Sequence, residues 1–177
     1  ISALDVFNYI YAVLHSPTYR QRYAEFLKMD FPRVPVTHDK NLFQQLAVVG
    51  KNLIAIHLMQ ADIENDSGFN IAGDNLVEKI EFKDGKVYIN KTQYFDNVAS
   101  EVWEFHIGGY QVCQKWLKDR KGMILDYAAC KNYLYILAAV EKTRALMAQI
   151  DEIIPSFPFN LVTSPPSPLS ITGEGSN

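Results

Sequence analysis

The residues best suited to chemistry in this chain gather between Gly108 and Lys121. The run reads Gly108-Gly109-Tyr110-Gln111-Val112-Cys113-Gln114-Lys115-Trp116-Leu117-Lys118-Asp119-Arg120-Lys121. Taken as a short helix near residues 110–119, it turns Val112, Cys113 and Trp116 inward. Gln111, Lys115 and Lys118 then share the opposite face at i, i+4 and i+7. A helix N-terminus opened by two glycines lets backbone N–H groups approach an anion, and a phosphate suits such a place. Lys115, Lys118, Arg120 and Lys121 can follow a phosphate backbone, while the Gln111 amide can read a base edge. Gly108, Gly109 and Tyr110 would lie beside the same duplex. Arg20, Arg22 and Arg33 form a second, sparser cationic set. The pattern equally describes an ordinary solvated face on a structural helix, so spacing alone leaves both readings open.

Other chemistries find no constellation to carry them. The chain has no G-x-x-x-x-G-K-[ST] phosphate loop and no G-x-G-x-x-G after a strand. His15, His38, His57 and His106 are scattered, and no two stand at metal-ligand spacing. His57 falls on an apolar helix and reads as a satisfied core histidine. Asp62, Glu64 and Asp66 alternate like the start of a calcium loop. The turn glycine is displaced to Gly68, however, and the twelfth position falls on Gly73 instead of a glutamate. His15-Ser16 lacks the glycines of a nucleophile elbow. Neither Asn-Pro-Pro-Tyr nor a glycine-rich methyl-donor loop occurs. A catalytic domain needs at least one such set, so no activity of its own is expected of this chain.

The elements that must position these residues follow from periodicity and punctuation. Residues 3–15 repeat apolar side chains at helical spacing through Phe7, Ile10, Tyr11 and Leu14. Ser16-Pro17 stops that helix and starts a second over about 17–28, because serine caps and proline fits the first helical position. Phe31-Pro32-Arg33-Val34-Pro35 must be extended. A third, well-buried helix runs from about 39 to 59 on Leu42, Leu46, Val49, Leu53 and Ile56. Residues 62–74 are polar and read as a loop. Asp84-Gly85 between two alternating apolar runs signals a hairpin. Short strands are expected near 93–95 and over 102–107. Asp126 caps a last long helix reaching about Ile153. The order of helices, small antiparallel sheet and helices predicts an α+β fold, a helical domain with the sheet inserted between long helices. Residues 1–154 form the domain, and 155–177 are a Pro/Ser/Gly-rich tail without its own core.

The totals agree with one globular domain. Of 177 residues, 48% are hydrophobic and 21% charged, enough to bury a core without disulfides or metals. No apolar run reaches the ~18 residues of a membrane span, and no signal peptide is read at the start. Cys113 and Cys130 fall in two helices and read as buried thiols, which fits a reducing cytoplasm. The net charge of -3 runs against the basic balance of most nucleic-acid binders. Distribution matters more than the total, and acidic residues collect in 62–66 and the last helix, leaving room for a local basic patch.

Two stretches are more specific than their composition. One runs from Tyr9-Ile10-Tyr11-Ala12-Val13-Leu14-His15-Ser16-Pro17-Thr18-Tyr19-Arg20 to Phe31-Pro32-Arg33-Val34-Pro35. The other runs from Val102-Trp103-Glu104-Phe105-His106-Ile107-Gly108-Gly109-Tyr110 to Gly122. With the helices between and after them, they resemble the C-terminal specificity domain of type ISP restriction–modification enzymes over roughly residues 4–153. Those single-polypeptide enzymes join a nuclease, a helicase-like motor and an adenine methyltransferase to a target-recognition domain. The resemblance implies that this chain is that last domain, or its C-terminal part. It would bind a short duplex DNA sequence and present it to the methyltransferase of the same polypeptide. It would need no cofactor itself, S-adenosylmethionine and ATP binding elsewhere in the parent enzyme. The rival reading is a helical module that packs on the methyltransferase or another protein without touching DNA.

Overall fold

The computed structural model describes residues 1–69, 71–157 and 159. Helix α1 (Ala3–His15) opens with a capping box, in which Ser2 accepts from the Asp5 N–H and the Asp5 side chain accepts from the Ser2 N–H. Ser16 closes α1 and caps α2 (Pro17–Arg22), with Pro17 in the first turn as its fixed φ favours. The single helix expected over 17–28 is in fact two. Tyr23, at φ -104 and ψ 17, separates α2 from α3 (Ala24–Met29). The kink lets the Tyr23 ring turn to Tyr19 and Phe157. The proline segment after it is extended, and two phenols hold it down. Tyr9 Oη donates to the Pro35 carbonyl at 2.7 Å, and Tyr19 Oη to that of Arg33 at 2.9 Å. Helix α4 (Lys40–His57) then starts on Asp39, whose carboxylate accepts from the N–H groups of Asn41 and Leu42.

Strands β1 (Glu81–Lys83), β2 (Lys86–Tyr88) and β3 (Tyr94–Phe95) form an antiparallel sheet in that order. Asp84 and Gly85 both have positive φ, 50° and 72°, which a two-residue turn of the I′ type demands. Residues 102–107 are not the strand that their β-prone composition predicts. They divide into a helical turn, α5 (Ser100–Trp103), and a two-residue strand, β4 (His106–Ile107). The reason is burial. Val102 and Trp103 are adjacent and both buried, and a strand would send neighbours to opposite faces. Strand β4 pairs with β5 (Tyr110–Gln111), which runs directly into α6 (Val112–Lys118). Asp126 caps the long α7 (Tyr127–Ile153).

Helix α7 is the spine of the molecule. Its first half offers Tyr133, Leu137 and Val140 to a core built by the sheet, α5 and α6. Its second half offers Leu146 and Ile150 to another core, built by α1, α2 and α4. At 27 residues it spans about 40 Å, long enough to serve both. The chain stays packed beyond the boundary placed at 154, because Phe157 and Phe159 are buried in the helical core beside Tyr19. Pro158 and residues 160–177 of the proposed tail lie outside the described residues.

Candidate nucleic-acid interface

The double glycine forms a hairpin turn, which corrects its expected place at the opening of a helix. Gly108 has φ +58 and Gly109 does not share it, the pattern of a II′ turn, where glycine takes the first central position. The turn joins β4 to β5 with Ile107 opposite Tyr110 and His106 opposite Gln111. A Cβ at either glycine would meet nothing within 4 Å, so the tip stands clear of the body. Helix α6 begins only at Val112, is seven residues long and has no side-chain cap. No anion cradle opens there. A Gly-Gly pair between two short β-prone runs is itself a hairpin signal, and it is the one that points to Ile107.

Below the tip the hairpin is seated on α5. The Gln111 amide donates to the Trp103 carbonyl, and the Val112 N–H donates to that of Phe105 at 3.1 Å. Gln111, the expected base reader, thus spends its amide inside the molecule. Trp103 in turn stacks on Phe82 at 5.6 Å. Ile107 and Tyr110, beside the turn, are 56% and 63% exposed.

Helix α6 divides its faces as its spacing predicts. Cys113 and Leu117 are buried, and Trp116 leans on Tyr133, whose hydroxyl donates to the Cys113 carbonyl. Burial pushes the Cys113 thiol up to about 12 and raises Cys130 as well, so both are inert thiols. The cations of the outer face are not equivalent. Lys115 is ion-paired with Asp119 and lies 5.9 Å from the Tyr110 ring. The Arg120 guanidinium lies 3.6 Å over Trp116 and donates to its carbonyl. Lys118 and Lys121 are exposed and have no ion-pair partner among the described residues.

The second cationic set does not join the first. Arg20 and Arg22 ride on α2, which Asp151 of α7 holds through Ser16 and Thr18. Helix α6 leans on Tyr133 of the same helix, about 27 Å away by helical rise. Arg22 lies 6.0 Å over Tyr23, and Arg33 pairs with Asp30 while lying 5.1 Å over Phe26. His57 also departs from expectation. It is exposed, not core, yet both ring nitrogens are satisfied, Nδ1 at 2.7 Å from Tyr11 Oη and Nε2 at 3.0 Å from Thr143 Oγ1.

The α+β module thus presents a glycine hairpin on the strand that leads into a lysine-bearing helix. The chain belongs to the family of type ISP C-terminal specificity domains, whose family model matches residues 1–149. Among solved structures it is similar to a nuclease-deletion mutant of the type ISP restriction–modification enzyme LlaGI in complex with a DNA substrate mimic. There the identity is 24% and the TM-score 0.63, over 90% of this chain and 17% of that one. It is similar to DrdV in its DNA complex at 21% identity and a TM-score of 0.66, over 88% of this chain and 18% of that one. It is also similar to the ATP-dependent type ISP enzyme LlaBIII bound to DNA, at 19% identity and a TM-score of 0.64, over 90% and 12%. The chain therefore spans less than a fifth of the length of these structures. No curated protein matches it.

Proposed function

We propose that this chain is the DNA-specificity domain of a restriction–modification enzyme, binding a duplex target through the β4–β5 hairpin and the outer face of α6. One observation carries the reading. Lys118, the last residue of α6, and Lys121, three residues on, are exposed and unpaired among the described residues, and the strand that leads into α6 starts at a glycine turn with open space around it. The relatives named above were solved with DNA or a DNA mimic, which supports the same partner here. Lys118 and Lys121 meet phosphates, with Lys115 and Arg120 as neighbouring charge partly spent inside the protein. Gln111 is a seat for the hairpin, and Arg20, Arg22 and Arg33 are a separate, outlying contact. The methyltransferase acting on the bound site lies in the same polypeptide in this reading, in the cytoplasm, and S-adenosylmethionine and ATP bind there and not here. Among the described residues no helix is long and apolar enough to cross a membrane.

The test is anisotropy of labelled duplexes against salt. The chain should bind duplex DNA with an affinity that falls steeply as salt rises. Lys118→Ala with Lys121→Ala should weaken every duplex alike. No binding, or binding indifferent to salt, overturns the reading. A second reading, packing without DNA, draws on Leu4 and Phe7 of α1 and Val48 of α4, which are apolar and at least half exposed. It would leave DNA binding absent, while polar substitutions at those residues detach the domain from its polypeptide.

A further inference from the structure

Phosphate contacts by α6 leave the exposed tip of the β4–β5 hairpin unused. Ile107 and Tyr110 face each other across the hairpin in the pair next to the turn. Directly opposed residues of antiparallel strands project to the same side, so the two side chains form one small apolar face at the tip. Both are more than half exposed, although isoleucine is among the residue types most often buried. Neither glycine carries bulk, and nothing crowds them. The tip is therefore thin as well as apolar.

Three further observations say what such a tip suits. It is held firmly from below, by the Gln111 amide on the Trp103 carbonyl, the Val112 N–H on the Phe105 carbonyl, and His106 Nδ1 at 2.5 Å from the Glu104 carbonyl. A lysine stands beside it, Lys115 Nζ lying 5.9 Å from the Tyr110 ring in its pair with Asp119, and Lys118 and Lys121 follow in the chain. Of the carboxylates near in sequence, Asp119 is held in the ion pair with Lys115, which leaves Lys118 and Lys121 as the unpaired lysines of this segment among the described residues. An apolar point flanked by lysines complements a polyanion that hides apolar groups between its phosphates. Duplex DNA is such a polyanion. Its major groove admits a two-stranded ribbon, and the thymine C5-methyl group is the apolar mark displayed there.

We propose that Ile107 and Tyr110 are specificity-determining residues that enter the major groove and contact a thymine methyl group. The inference rests on the DNA-binding reading above, and its test separates the two. A duplex is selected by the chain from a randomised pool, and each thymine in it is replaced in turn by deoxyuridine, which removes only the methyl. One replacement should weaken binding about fourfold, the value of one buried methyl. Ile107→Ala and Tyr110→Ala should abolish that discrimination, keep the melting temperature and leave the salt slope unchanged. A penalty that survives both substitutions overturns the proposal, as does a duplex in which no deoxyuridine matters. Loss of attachment to the rest of the polypeptide, with discrimination intact, would overturn it by making the tip a protein contact. Failure of the wild-type chain to bind or select any duplex would sink the DNA-binding reading itself.

Discussion

A Cβ built on Gly50 of α4 would stand 1.9 Å from the carbonyl oxygen of Asn8 on α1 and 3.2 Å from the Ala12 nitrogen. The two helices meet main chain to main chain, and neither blocking atom can swing aside. Glycine inside a helix costs about 1 kcal/mol against alanine, so helix propensity alone would favour the substitution. Packing decides otherwise. Gly50→Ala should lower stability by about 3 kcal/mol, the upper range for forcing atoms into a packed core. The reading is the midpoint of urea unfolding, and an unchanged midpoint would mean that the helices part at little cost.

Asp151 joins the chain's early and late segments. Its carboxylate accepts from Thr18 N at 3.0 Å, from Thr18 Oγ1 at 2.8 Å and from Ser16 Oγ, and Ser16 itself caps α2. One side chain of α7 thus satisfies the start of α2 and fixes the helix bearing Arg20 and Arg22. Asp151→Ala should cost about 2 kcal/mol, in the range of hydrogen bonds to a charged acceptor. Asp151→Asn should recover part of that, because its amide oxygen still accepts. Equal losses in both variants would show that charge, not acceptance, holds the contact.

His15 and His57 lie with ring centroids 5.4 Å apart between α1 and α4. Partial desolvation of the two rings, which face each other and Tyr11, is the main cause that lowers both pKa values below 6.5, although His57 is exposed as a residue. Arg20 adds to the effect at His15, and His15 adds to it at His57. The folded protein therefore resists a proton that the unfolded chain accepts. Stability from this pair is fully present above the unfolded value. It falls as pH drops through that value toward the lower folded ones. Urea midpoints taken from about pH 8 to about pH 5 should decline on the acid side, and His57→Gln should flatten part of that decline. A profile identical in the variant would remove His57 from the account.

What the sequence revealed was mostly local chemistry. Ser16 and Asp126 announce helix starts, and each caps one; Ser2 and Asp39 cap two more that periodicity alone locates. Asp84-Gly85 announces a hairpin and makes it. The errors arise where a neighbour far along the chain decides. Val102 and Trp103 look β-prone, but both must reach one core, so they take a helical turn. Tyr23 breaks a helix to meet Phe157, 134 residues on. Gln111 has the right type to read a base, and only the fold reveals that Trp103 already holds its amide. The lysine face of α6 could be read from spacing. Which of its cations are free could not, because ion pairs and stacking depend on rotamers.

That last distinction can be measured. Lys118 is exposed and has no ion-pair partner among the described residues, whereas Arg120 lies 3.6 Å over Trp116 with its Nη1 donating to the Trp116 carbonyl at 3.0 Å. A free lysine that meets a phosphate displaces a counterion, and its loss should reduce the slope of log affinity against log salt by about 0.9. Lys118→Ala should therefore flatten the slope by that amount with little change in stability. Arg120→Ala removes a cation seated on an aromatic ring, an interaction of about 1 kcal/mol when partly shielded. Its effect should appear in the unfolding midpoint, with the salt slope nearly unchanged. Equal flattening by both substitutions would mean that Arg120 leaves Trp116 to meet DNA, and the outer face of α6 would then reorganise on binding instead of presenting a ready-made surface.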